Sequence, residues 1–142
     1  MTSAPSISRT DDLAACHAIR RTVFIEEQAV PEDLEIDDLD GEAIHLLAVA
    51  GGRAVGTARI LLAGETGKIG RVAVLADRRG TGLGAALIRA ALDELRAQPG
   101  VTTAKLGAQT HALGFYERLG FVAFGPVYDD AGIPHRDMSR PL

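Results

Sequence analysis

Apolar positions along the chain follow two rhythms, one suited to helices and one to strands. Leu13, Cys16, Ile19, Val23 and Phe24 recur at three- and four-residue intervals and predict an amphipathic helix over 12–28, ended by Pro31. Thr10 or Asp11 is placed to cap it, after a short polar-flanked edge strand over 6–10. Leu83, Leu87, Ala91 and Leu95, with Ile88 and Leu92 beside them, predict a second helix over 82–97, stopped by Gln98-Pro99-Gly100. Shorter apolar runs at 44–50, 54–62 and 69–75 read as strands. Gly51-Gly52 joins the first two, and the turn at 63–67 leads into the third. The run at 102–108 predicts a strand parallel to 69–75, reached by a right-handed crossover through the second helix. Thr110 is expected to cap a short helix carrying Ala112, Phe115 and Leu119, with Gly120 just past its end. Strands at 121–127 and 135–138 close the chain. The order β-α-β-β-β-α-β-α-β-β predicts an α/β fold built on a sheet of mixed direction.

Composition narrows the class of protein. A chain of 142 residues, 46% hydrophobic and 24% charged, has the size and balance of a single folded domain spanning 1–142. A net charge of −4 gives no basic surface for nucleic acid. The lone Cys16 cannot form an internal disulfide and suits a reducing, cytoplasmic setting. The N-terminal stretch lacks the apolar core of a signal peptide, and every apolar run is far shorter than the ~20 residues that span a bilayer. Residues 30–42 carry Glu32, Asp33, Glu35, Asp37, Asp38 and Asp40. Such a run reads first as a solvated loop. It lacks the ligand spacing of a calcium loop, so no metal is expected. A second reading makes it the rim of a substrate site that attracts a cationic amine.

The chemistry concentrates between the third strand and the second helix. An apolar strand, the basic turn Asp77-Arg78-Arg79 and the glycine loop Gly80-Thr81-Gly82-Leu83-Gly84 lead into a helix. This context gathers unpaired backbone N–H groups at the positive end of a helix dipole, where they can cradle an anion. Glycines allow phosphate oxygens to approach the backbone, and the two arginines add positive charge. The spacing does not match a dinucleotide-binding loop, and Ala85-Ala86 stand where a nucleotide-triphosphate loop has its Lys-Ser/Thr. Arg79-Gly80-Thr81-Gly82-Leu83-Gly84 does resemble the Arg/Gln-x-x-Gly-x-Gly/Ala signature of the GCN5-related N-acetyltransferases (GNAT). Leu113-Gly114-Phe115-Tyr116-Glu117-Arg118-Leu119-Gly120-Phe121 resembles the second diagnostic motif of that family. The segment 23–31, His45, the segment 70–74, Gln109-x-His111 and Gly132-Ile133-Pro134-His135 are similar to its ElaA/YjcF-like branch.

The resemblance implies an acyl-CoA N-acyltransferase fold, a mixed, mostly antiparallel sheet with splayed central parallel strands, flanked by helices. It also implies acetyl-CoA as co-substrate, an amine of a small molecule or peptide as acceptor, and direct transfer in a ternary complex. A homodimer is compatible with it. Carried over, the backbone of Val72, Ala73 and Val74 would hold the pantetheine, with the Val74 N–H facing the thioester carbonyl. The segment Arg78-Arg79-Gly80-Thr81-Gly82-Leu83-Gly84 would hold the pyrophosphate, and Phe115 and Tyr116 would complete the cofactor site. Tyr116 would be the general acid toward the departing thiolate; a thiol near ~8.5 and a phenol near ~10 make that transfer roughly neutral. Many relatives place a glutamate on the central strand as base, where this chain has Arg71. The remaining candidates are His45, His135, His111 and Glu27, since imidazole titrates near neutral pH. His45 and His135 rank above His111, whose place at a helix start has a capping explanation. Arg71 in an apolar strand needs a partner. Glu27 or a carboxylate on the substrate would serve, and Glu27, Arg71 and Gln109 form the expected substrate-binding set. Two alternatives remain: an acyl-homoserine-lactone-synthase-like acyltransferase, and a non-catalytic acyl-CoA-binding module.

Overall fold

The computed structural model describes residues 4–142. In chain order the elements are β1 (Ser6–Thr10), α1 (Leu13–Arg20), α2 (Glu32–Glu35), β2 (Ile44–Ala50), β3 (Arg53–Ala63), β4 (Thr66–Val74), α3 (Leu83–Arg96), β5 (Thr103–Gln109), α4 (Leu113–Glu117), β6 (Val122–Asp130) and β7 (Ile133–Pro141). The strands form one sheet in the order β1-β2-β3-β4-β5-β7-β6, antiparallel except where β4 meets β5. Mixed direction, helices on the faces and a parallel central pair are as expected.

Helices cover both faces because adjacent residues of the central strands point opposite ways. Leu46, Ala58, Ile60 and Ile69 pack with Leu87, Ile88 and Leu95 of α3. Leu47 and Ala73 pack with Cys16, Ile19 and Val23 on the other face. All six apolar positions assigned to the core face of α3 are buried. Gly67 on β4 lets that helix settle closely, since a Cβ there would overlap the Leu95 side chain.

Several local expectations are corrected. The cap of α1 is Asp12, whose carboxylate accepts from Ala15 N–H at 3.1 Å, whereas Thr10 Oγ1 accepts from Asp12 N–H. The helical pattern over 12–28 is not uniform, for Arg21–Glu27 winds as a π-helix. The supposed loop after Pro31 contains α2. β4 starts at Thr66, three residues ahead of its apolar run, because Gly64-Glu65 already closes the β3–β4 turn. β6 and β7 extend to a two-residue turn at Ala131-Gly132, both at positive φ, as the twist of a tight hairpin favours. Thr110 lies in a 3-10 turn and makes no capping bond. Gly120 does end the following helix: its N–H bonds Glu117 O and Phe121 N–H bonds Tyr116 O.

Candidate active site

β4 and β5 pair at only three positions, Thr66↔Thr103, Gly67↔Ala104 and Lys68↔Lys105. Beyond them the strands part and leave a cleft of about 290 Å³. Ile69–Val72 line one wall and Leu106, Gly107 and Gln109 the other, while α1's extension, α2, α4 and the β6–β7 hairpin close the ends. A register shift between Thr57 and Arg59 of β3 places an extra residue in β4. Arg71 takes φ +49° there, unusual for a residue with a side chain.

The bulge sets the direction of the amides that follow. Leu75 N–H donates to Val55 O across the β3–β4 ladder. By antiparallel alternation the N–H and C=O of Val74 point the other way, into the opening between β4 and β5. Arg79 Nε takes that carbonyl at 3.1 Å. The N–H faces the same side, away from β3.

At the far end of β4, the glycine loop has the form expected of an anion cradle. Gly80 and Gly82 stand at φ +76° and +87°, and a Cβ on either would meet nothing within 4 Å. Thr81 Oγ1 donates to Arg78 O and tightens the turn. Ala86 N–H bonds Gly82 O, so the α3 N–H groups ahead of it remain available to a ligand. A Cβ on Gly84 would lie 3.5 Å from the ring of Phe115, which brings α4 beside the cradle.

Tyr116 lines the cleft, its ring edge-on to Phe115 at 4.9 Å and to Phe121 at 6.1 Å. Burial raises its phenol above the ordinary value, so proton transfer to a thiolate is less even than free-solution values imply. Among the described residues its hydroxyl makes no hydrogen bond.

The three candidate histidines are treated differently. His45 is buried outside the cleft and donates through Nε2 to Asp40 O at 2.9 Å, a structural role. His111 is exposed and donates to Gln109 Oε1 at 2.7 Å. His135 alone lines the cleft, 6.0 Å from the stacked ring of Tyr128. Its Nδ1 donates to Ile133 O at 2.7 Å, so the neutral ring keeps its lone pair on Nε2. Gln109 also lines the cleft and donates to Gln28 Oε1 at 3.1 Å.

Glu27 is not the partner of Arg71. It pairs with Arg79 at 2.6 Å, which ties the glycine turn to the π-helical stretch. Arg71 instead reaches the acidic segment, donating to Glu35 O at 3.0 Å and Asp37 Oδ2 at 3.2 Å. Burial, then the neighbouring charge of Arg59, pushes its guanidinium below the ordinary arginine value.

The acidic segment is therefore mostly spent on arginines. Arg20, 1% exposed, bonds Glu35 at 2.6 Å and Asp40 at 2.8 Å. Arg59 pairs with Asp37 at 2.8 Å and Asp40 at 3.2 Å, and Arg21 with Glu32. Burial opposes the charge on Asp40, but hydrogen bonds from Arg20 and His17 outweigh it and hold the carboxyl well below the usual range. The segment does border the cleft, through Leu34 and Glu35, but its paired carboxylates are not free to attract an amine. It is a strap whose carboxylates pair with four arginines, Arg20, Arg21, Arg59 and Arg71.

Sequence reasoning gave Gln28 and Tyr128 no place in the cleft wall, whereas Glu35 lies in the segment read as a possible rim. Tyr128 was traceable, since it pairs directly with His135 once the hairpin register is known.

A seam between parallel strands, a glycine cradle at a helix start and a tyrosine beside both define an acyl-CoA-dependent acyltransferase fold. The sequence profile described as Acetyltransferase (GNAT) domain matches residues 9–142. The uncharacterized N-acetyltransferase YjcF of Bacillus subtilis is 37% identical over 123 residues, covering 86% of this chain and 87% of its own. ElaA of Escherichia coli is 36% identical over 134 residues, covering 92% and 88%. The crystal structure of an acyl-CoA N-acyltransferase from Pseudomonas aeruginosa, 34% identical, superposes with a TM-score of 0.85 over 97% of this chain and 99% of that one. The chain belongs to the GNAT acetyltransferase family. Among the described residues no helix is long and apolar enough to cross a membrane.

Proposed function

We propose that this protein transfers an acetyl group from acetyl-CoA to an amine of a small molecule or peptide, by direct attack in a ternary complex. The observation that carries the reading is adjacency: Tyr116 and His135 border the cleft between β4 and β5, and Phe115, next to Tyr116, packs against Gly84 of the cradle. The residues fit the co-substrate, because positive-φ glycines with open space beside them admit phosphate oxygens that a side chain would exclude. The backbone of Val72–Val74 would pair with the pantetheine along the strand edge left free by β5. Bound acetyl-CoA supplies the thioester carbon.

Two residues would move protons. His135, with Nδ1 fixed on Ile133 O, would accept a proton at Nε2 from the acceptor's ammonium group, directly or through water, and so free the neutral amine to attack. Tyr116 would protonate the leaving sulfur, its burial helping to keep the phenol protonated until then. The Val74 N–H would donate to the oxyanion that forms between these steps.

The test is titration calorimetry with acetyl-CoA, followed by thiol-release assays across a panel of amines. Micromolar binding is expected, weakened by Arg79→Ala because Arg79 holds the Val74 carbonyl and the glycine turn. Tyr116→Phe is expected to retain that binding and lose ~10²-fold or more in turnover. Binding without thiol release for any amine would favour a non-catalytic module; absence of binding would sink the reading.

A further inference from the structure

Most buried arginines of this chain are neutralised where they stand. A groove on α3, away from the cleft between β4 and β5, gathers more exposed arginines that are mostly without such partners. Its edges are Arg89 and Arg96 on α3, Arg118 after α4 and Arg140 on β7. Leu92 and Leu119 lie between them, and Asp93 is the one acid of the lining, for a formal charge of +3 from four arginines and one aspartate. Its volume is about 560 Å³. Asp93 pairs with Arg96 at 3.1 Å, which leaves Arg89, Arg118 and Arg140 without a carboxylate partner among the described residues.

Arg140 is built into place. Its Nη1 donates to Leu119 O at 2.7 Å and its Nε to Pro141 O at 3.0 Å, leaving Nη2 without a hydrogen bond among the described residues. The guanidinium lies against Gly120, where a Cβ would come within 2.9 Å of Nη1. A residue other than glycine would displace it.

The negative end of the α3 dipole accounts for Arg96 in the last turn. It does not account for Arg89, two turns into the helix, or for Arg118. Gathering three uncompensated guanidiniums is unfavourable, and a multiply charged anion would relieve it. Arg89 lies six residues past Leu83 and Arg96 thirteen, so the groove spans ~9 to ~20 Å beyond the helix start at the cradle, at 1.5 Å per residue.

We propose that this groove is a second anion site, separate from the pyrophosphate cradle, that takes a phosphate dianion through the guanidinium forks of Arg89, Arg118 and Arg140. The phosphate could be a monoester group on the cofactor's nucleotide end or belong to an independent phosphorylated ligand. Both present the same chemistry to the groove.

Inorganic phosphate is the probe, followed by NMR of the arginine Nε–Hε signals in the protein alone and loaded with coenzyme A or with dephospho-coenzyme A. Saturable shifts of Arg89, Arg118 and Arg140 are expected in the protein alone. The combined Arg89→Ala and Arg118→Ala variant, both exposed positions, should bind phosphate at least about tenfold more weakly at the remaining Arg140 signal, with an unchanged melting temperature. If coenzyme A blocks the phosphate shifts and dephospho-coenzyme A does not, the groove holds the cofactor's own ester. If phosphate still binds beside coenzyme A, the ligand is independent. Equal phosphate response in wild type and variant, or shifts confined to the amides of the glycine loop, overturns the proposal. The arm without coenzyme A keeps this outcome apart from any failure of the acetyltransferase reading.

Discussion

Arg20 is almost wholly enclosed and holds two carboxylates at once. Removing such a group leaves its partners charged and unpaired in a poorly solvated place. Arg20→Ala is therefore expected to destabilise by about 3–5 kcal/mol, measured by urea unfolding. The same cluster predicts a pH dependence. The folded-state pKa values of Asp40 and Asp37 are depressed: burial opposes the shift in both, but their arginine partners outweigh it. Carboxylates depressed on folding contribute stability in full above their unfolded value near ~3.9 and lose it as pH falls through the lower folded values. Unfolding midpoints should thus change little through these groups down to about pH 5 and fall steeply below pH ~4. Asp40→Asn should flatten that acid slope while lowering stability at neutral pH. A slope unchanged in the variant would remove Asp40 from the explanation.

At the level of elements, the seating of α3 on β4 depends on the absence of a side chain at Gly67. Gly67→Ala is expected to cost about 1–3 kcal/mol by overpacking against Leu95. Adding Leu95→Ala should recover part of the loss in a double-mutant cycle, because it frees the same space. α3 was fully legible in the sequence, as were the Gly51-Gly52 turn and the glycine loop, since each is specified by neighbours within a few residues. The pairing of Arg71 was not. Its partners lie 34 to 37 residues away, in a segment whose acids look alike before the fold sorts them. Nor does the apolar stripe of the first helix reveal its π-helical half, because Val23 and Phe24 fit either winding. The histidines show the same limit: residue type nominated three, and only tertiary placement separates His135 in the cleft from His45 beneath the strap.

For the whole molecule, the short contact between β4 and β5 has a consequence for exchange with solvent. An open sheet ordinarily has two borders where backbone groups lack a neighbour; this one has four, two of them internal, along residues 69–72 and 106–109. Amides pointing into that gap have water in place of a ladder, so native-state deuterium uptake should be fast there while the amides of the β2–β3 ladder stay protected. Addition of acetyl-CoA should slow uptake along both internal borders together, and uptake that slows on one side only would mean the ligand leans on a single strand. In the absence of ligand, the gap is also a template that other extended chains could enter. The shape that leaves room for a strand-like cofactor thus exposes the molecule to peptides that mimic one, and occupancy by the cofactor is what would shield it.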